Sequence, residues 1–278
     1  MRRFSCRGVR LFASVALVAL AAAALGGCKT FSTADTTGSI AAPDAPRGEA
    51  EWRREAEALG EKFRADPRDP AIAIRYSRAL RGSGQRTQAA AVLEQAAIFN
   101  PENKALLGAY GRALADAGNF NQALDVLSRA HTPDQPDWRI LSVQGAVLDQ
   151  LGRHDEARRY YASALKIVPD EPSVLSNLGL SYALSKDLKR AEETLRRASA
   201  NGAIDRRVRQ NLALVVGLQG RFPEAETIAR ADLPPAEATA NVAYLRQMLA
   251  QQQHQRGKPN RKSIKPIGID PIEDANGT

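Results

Sequence analysis

The sequence predicts an all-α fold, a superhelical solenoid of stacked helical hairpins set between flexible ends and preceded by an export signal. Three observations predict it. Alanine recurs at 89, 123, 157, 191 and 225, always 34 residues apart. With 49 alanines in 278 residues, five such hits would arise by chance about twice in ten thousand trials, so the period is a property of the chain. Other columns share the register without gaps. Gly84, Gly118, Gly152, Lys186 and Gly220 stand five residues before each alanine, and the small residues Ser77, Gly111, Gly145, Gly179 and Ala213 stand twelve before it. Composition agrees, since aromatics make up only 5% of the chain and alanine both favours helix and lets backbones approach.

The N-terminus reads as a signal peptide over 1–27. Arg2, Arg3, Arg7 and Arg10 occur there without any acid, and an apolar run follows from Leu11 to Leu25, short for a membrane span. The run closes on Leu25-Gly26-Gly27-Cys28, which resembles the lipobox of bacterial lipoproteins. Small Gly26 and Gly27 suit a peptidase cleft, and the Cys28 thiol would take a diacylglyceryl group before cleavage after Gly27. Cleavage would halve the formal net charge of +8 and remove Cys6, so the basic balance does not argue for nucleic acid. With Cys28 lipidated, no thiol is left for a disulfide or a metal, and the fold must stand on packing. Residues 28–48 are rich in Ser, Thr, Ala, Pro and Gly and predict a flexible tether reaching about 25 Å.

Trp52, Ala56, Leu59 and Phe63 form an i, i+4, i+7, i+11 stripe, predicting a capping helix within 49–69. The repeats then occupy 70–103, 104–137, 138–171, 172–205 and 206–239, a span of 70–239. Small residues at the eighth and twentieth positions let the two helices of a hairpin cross closely, and the columns Leu80, Leu114, Leu148, Tyr182, Val216 and Leu93, Leu127, Tyr161, Leu195, Ala229 fill the space around the crossing. Glycine at the fifteenth position suits a turn of positive φ, which Lys186 weakens in one repeat. Pro101 and Pro169 end second helices, and the stretch from His131 to Pro136 should stop the second helix of repeat two early. Val242, Leu245 and Leu249 mark a C-terminal capping helix over 236–250, and 251–278 reads as a disordered tail. A period of 34 residues resembles the tetratricopeptide repeat, which supplies the fold class: a tetratricopeptide superhelix.

No constellation for chemistry emerges. His131 reads as a loop residue, His154 as a packing residue and His254 as part of the tail, none with a carboxylate or cysteine at ligand spacing. The expectation is therefore no enzyme, no metal, no small-molecule substrate and no cofactor beyond the covalent lipid on Cys28. In the tetratricopeptide family, positions 2, 5, 6, 9, 12 and 13 face a concave groove. Here they place Arg75, Arg78, Arg112 and Arg139 in the first three repeats, then Asn177 and Asn211. Arginine grips carboxylates through two parallel bonds, and an amide can both donate to and accept from a peptide backbone. These residues are the candidate peptide-binding groove; solvated helix faces and repeat filler are the plain alternative. The lysine–asparagine clamp of chaperone-binding relatives is absent, with Ile74 and Gly108 at its lysine positions.

A more specific resemblance rests on three stretches: 136–161 with Asp137-Trp138-Arg139, 174–198 with Ser176-Asn177-Leu178-Gly179-Leu180-Ser181-Tyr182, and 207–235 with Arg209-Gln210-Asn211-Leu212. They are similar to the TadD lipoproteins of tight-adherence (Flp) pilus systems. The resemblance implies a pilotin-like scaffold at the outer membrane of a Gram-negative bacterium, lipid-anchored and facing the periplasm, whose protein partner is the pilus secretin or another Tad assembly component. Lys29 after the lipidated cysteine agrees with outward sorting, because aspartate there favours inner-membrane retention in enterobacterial lipoproteins. Two other readings share parts of this evidence: a lipoprotein adaptor for outer-membrane protein or peptidoglycan assembly, and a soluble intracellular tetratricopeptide adaptor.

Overall fold

The computed structural model of the protein describes residues 48–200 and 205–256. The signal with Leu25, Gly26, Gly27 and Cys28, the tether up to 47 and the stretch from 257 onward lie outside the described residues. Among the described residues there are twelve α-helices: α1 (Glu49–Ala65), α2 (Pro70–Gly82), α3 (Arg86–Phe99), α4 (Lys104–Asp116), α5 (Phe120–Arg129), α6 (Trp138–Gln150), α7 (His154–Ile167), α8 (Pro172–Leu184), α9 (Leu188–Ser199), α10 (Arg206–Leu218), α11 (Phe222–Ala229) and α12 (Pro235–Arg256). First helices of the hairpins open at 70, 104, 138, 172 and 206, and second helices at 86, 120, 154, 188 and 222.

Both ends of every first helix are specified locally. The residue before it is Asp69, Asn103, Asp137, Glu171 or Asp205, a column at the 34-residue period. Each of these side chains accepts a backbone N–H of the first turn, at 2.7 Å from Ala71 to Asp69 and 2.8 Å from Arg139 to Asp137. Such caps satisfy donors that a helix start would otherwise strand. The other end is a Schellman turn. In the first repeat the N–H of Gln85 donates to the Leu80 carbonyl at 2.8 Å and that of Gly84 to Arg81 at 3.1 Å, and the same pattern recurs at Asn119, Arg153, Asp187 and Arg221. The motif needs a left-handed residue. Gly84, Gly118, Gly152 and Gly220 supply it at φ 75 to 85°, and Lys186 is forced into it at φ 67°.

The crossing of each hairpin explains the small column. A Cβ placed on Gly145 would lie 2.6 Å from the Tyr161 ring, one on Gly179 2.6 Å from Leu195 Cγ, and one on Gly111 would overlap Leu127. In repeats two to four position eight is thus a hole and position twenty-four the knob that fills it. Ala89, Ala123, Ala157, Ala191 and Ala225 are wholly buried beside this contact. In the last repeat the knob shrinks to Ala229 and the hole is correspondingly occupied by Ala213, the two packing together with Ala238.

Repeats stack through their first helices, α2 on α4, α4 on α6, α6 on α8 and α8 on α10, while each second helix packs between its own first helix and the next, with α12 taking that place after α11. First helices therefore line the inner face of the superhelix and second helices its outer face. α1 closes one end, with Ala56, Leu59 and Phe63 buried and Phe63 set 5.8 Å from the Tyr76 ring. α5 stops at Arg129, ahead of the stretch from His131 to Pro136. At the other end α12 covers the last repeat with Ala238 and Val242, and Leu245 packs where Gly217 leaves room. One expectation is corrected here: the last helix does not end at 250 but runs on through Arg256, so His254 is helical. Residues 251–256 contain strong helix formers and no breaker, and the first glycine comes only at 257.

Two substitutions test this frame by urea melting. Gly179→Ala should destabilise the protein by about 1–3 kcal/mol, because Leu195 must leave its hole. Lys186→Gly should stabilise it by about 0.5–1 kcal/mol, the relief of a left-handed lysine partly offset by the freer unfolded chain. An unmoved midpoint in the first variant, or a lowered one in the second, would contradict the packing and turn assignments respectively.

Candidate functional site

The inner face carries the residues singled out from the sequence, in two chemically different halves. In the first half, Arg75 and Arg78 are exposed on α2, and the Arg78 guanidinium sits 5.7 Å from the Trp52 ring of the capping helix. Arg139 opens α6 and stacks 4.6 Å over its neighbour Trp138. Arg112 lies between them on α4. The structure brings Arg112 and Arg139 into one electrostatic cluster with Arg81, which the sequence alone did not single out, and with Asp116 and Asp137.

The members of this cluster are unequally satisfied. Arg81 donates to the Asp116 carboxylate across the repeat boundary, a pair with only 14% and 11% of its side chains exposed. Burial pushes the Asp116 carboxyl up from its ordinary value, against the pull of Arg81. Asp137 is engaged as the cap of α6. Arg112 has its Nε withdrawn from solvent with no hydrogen-bond acceptor. Burial and the like charge of Arg81 and Arg139 bring its guanidinium down to about 10, with Asp116 and Asp137 opposing that shift. It remains a cation at neutral pH.

The second half is a polar ladder. Asn177 donates its amide to Ser142 Oγ at 3.1 Å, and Asn211 donates to Ser176 Oγ at 2.9 Å, the same contact one repeat further on. Both asparagines are half-buried and both serines are buried. One donor of each amide that the sequence reading offers to a ligand thus ties α6 to α8 or α8 to α10. Beneath the ladder, Asp149 is buried and accepts from Tyr161 Oη at 2.9 Å and Ser181 Oγ at 2.8 Å, with His154 Nδ1 at 2.8 Å. Desolvation and this carboxylate hold the Tyr161 hydroxyl well above its ordinary pKa, so it remains a donor. His154 is therefore a polar partner at the repeat-three crossing, and His131 reaches Gln144 at 3.2 Å. Among the described residues no three His, Cys, Asp or Glu side chains gather as metal ligands.

The outer face offers a different surface. Ile98 is 72% exposed and Phe99, under the guanidinium of Arg68, is 46% exposed at the end of α3. An open apolar cleft also lies between α11 and α12, lined by Phe222, Val242, Ala243 and Ala250 with Arg246 at its edge.

Comparison with known proteins agrees with this architecture. Two descriptions of the tetratricopeptide repeat match the chain, one at 80–145 and 150–215 and the other at 138–160 and 207–231. The array is a tetratricopeptide-repeat solenoid. Tetratricopeptide arrays of this kind are scaffolds that bind protein partners. No curated protein matches the chain by sequence. Among solved structures, PilW, described as a widely conserved type IV pilus biogenesis factor, superposes with a TM-score of 0.60 at 16% identity, covering 70% of this chain and 91% of PilW. A chain of the APC/C heterotetramer Cut9-Hcn1 gives 0.59 at 14% identity over 73% of this chain, which spans only 40% of that one. TTC0263, a thermophilic tetratricopeptide protein of Thermus thermophilus, gives 0.53 at 19% identity, covering 60% of this chain and 91% of TTC0263. At these identities the likeness is one of fold.

The ladder predicts that Asn177→Ala combined with Asn211→Ala weakens the tetratricopeptide array itself. Each lost bond should cost about 0.5–1.5 kcal/mol and speed amide exchange in α8 and α10. Unchanged urea melting with unchanged exchange would remove the ladder from the account of stability.

Proposed function

We propose that the protein is a lipid-anchored adaptor of the outer membrane, facing the periplasm, whose inner face captures a segment of the tight-adherence pilus assembly machinery, the secretin foremost. The observation that carries this reading is the arginine-rich inner face, where Arg75, Arg78, Arg112 and Arg139 stand on three successive first helices, Arg78 over the ring of Trp52 and Arg139 over that of Trp138. A curved helical surface with two cations resting on aromatic rings suits an extended peptide, because less entropy is lost in ordering the receptor. The motif Leu25-Gly26-Gly27-Cys28 supplies the anchor, and the tether would let the array search about 25 Å from the membrane. The similarity of 136–161, 174–198 and 207–235 to TadD lipoproteins points to the pilus rather than to another envelope assembly. PilW, described as a type IV pilus biogenesis factor, has a similar fold, which is in keeping with this reading. The role is binding and placement, with no catalysis.

Two experiments in the native host test this. A photo-crosslinking amino acid at Arg75 should capture a pilus assembly component from envelope membranes, whereas one at Ile98 on the outer face should not; capture only from Ile98 would overturn the inner-face assignment. Cys28→Ser should abolish palmitate incorporation and release the protein from the outer membrane, with loss of surface pili. A variant still acylated and processed after Gly27 would overturn the anchor.

A further inference from the structure

α12 stands where a sixth hairpin would begin. Each of the five first helices packs against a second helix of its own, whereas α12 rests on α10 and α11 and has no second helix after it among the described residues. Along the apolar cleft between α11 and α12, Ala243, Arg246, Gln247 and Ala250 are exposed, with Phe222 and Pro223 on the other wall. Two charged groups border this cleft, and only one of them is satisfied. Glu226 accepts from Thr239 Oγ1 at 2.7 Å and also from Arg230. Arg246 lies 5.6 Å from the centre of the Phe222 ring, and among the described residues no carboxylate pairs with it. The cleft thus suits an apolar occupant that carries an acid.

We propose that this cleft is the docking site of the chain's own segment 264–274, which folds back along α12 as an extended strap in place of a sixth second helix. The segment reads Ile264-Lys265-Pro266-Ile267-Gly268-Ile269-Asp270-Pro271-Ile272-Glu273-Asp274, four isoleucines followed or interleaved by three acids. Pro266, Gly268 and Pro271 oppose a helix and favour extended backbone, which fits a groove rather than a helical stack. In extended backbone Ile267, Ile269 and Pro271 share one face, the one offered to Phe222 and Val242. Reach fits as well. Ala250 lies about 9 Å back along α12 from Arg256, and Val242 about 21 Å. Residues 257–263 span up to about 23 Å when extended, and they begin with Gly257, which can reverse the chain. Charge is distributed to match: Lys258, Arg261 and Lys262 fall in this linker, while Asp270, Glu273 and Asp274 fall in the part that meets Arg246. The strap is independent of what the inner face binds.

The test places a photo-crosslinking amino acid at Gln247 in the full chain and maps the products by mass spectrometry in an equal mixture of ¹⁴N and ¹⁵N protein. The expected product joins position 247 to a peptide from 264–274 carrying the same isotope. Tethering alone brings this segment near α12, and Ile267→Asp combined with Ile269→Asp measures that background; it should lower the yield at least five-fold. Arg246→Glu should lower it at least two-fold, and adding Asp270→Lys, Glu273→Lys and Asp274→Lys to the same chain should restore it. A yield unmoved by the paired isoleucine change overturns the strap, as do crosslinks confined to other segments or other proteins. Products of mixed isotope overturn it in favour of a second copy in the cleft. A yield unmoved by Arg246→Glu overturns the charge pairing.

Discussion

The distance at which two helices of a hairpin cross governs the remainder of the molecule. A single missing methyl group at Gly111, Gly145 and Gly179 lets Leu127, Tyr161 and Leu195 seat against the first helix. That seating sets how far each second helix stands from its partner, and therefore how the next first helix is offered its place. The Schellman turn holds the reversal between the two, and its left-handed residue is needed often enough that the chain accepts lysine there at a cost of roughly 1–2 kcal/mol. Curvature, the identity of the inner face and the spacing of the arginines all descend from this contact.

Polar interactions do a different job in each part of the array. Many ion pairs are exposed i,i+3 or i,i+4 pairs, such as Arg53 with Glu49 on the capping helix and Arg153 with Glu156 at the start of α7, and such pairs contribute about 0–1 kcal/mol each. The ties between repeats are more deeply placed. Asp149 joins α6, α7 and α8 through two hydroxyls and an imidazole, and a carboxylate accepting several bonds in a low-dielectric setting is hard to replace. At the junction of repeats four and five, burial pushes the Glu192 carboxyl up, but bonds from Arg221, Arg196 and Gln219 prevail and hold it at about 2. Arg112 differs from these in having its Nε withdrawn from solvent without an acceptor.

The period, the crossing columns and the turn glycines were legible in the sequence because each repeats at a constant offset and carries an extreme residue type. Even the weak turn at Lys186 could be read from its column. The capping column from Asp69 to Asp205 obeys the same period but mixes Asp, Asn and Glu, so no single residue type marks it in the sequence. The structural part played by Asn177 and Asn211 is hidden for another reason. An amide on the inner face reads as a ligand contact, and only the serine one position earlier in the previous repeat, 35 residues away, reveals a structural partner. Asp149, Tyr161 and Ser181 likewise look like unrelated polar residues until three helices converge. Arg75, Arg78, Arg112 and Arg139 were found together, but their division into surface cations and one dehydrated cation depends on depth, which no linear pattern records.

The paired change at Ala213 and Ala229 bears on how such an array can be rebuilt. All five hairpins share one register, which suggests interchangeable parts. Their crossings do not share one volume. A first helix carrying Ala213 would meet Leu195 if transplanted into the fourth hairpin, and the fifth second helix would leave a void beneath Gly179. Exchange by recombination is therefore tolerated when whole hairpins move and penalised when the cut falls inside one, so the unit of inheritance in this solenoid is the hairpin rather than the helix.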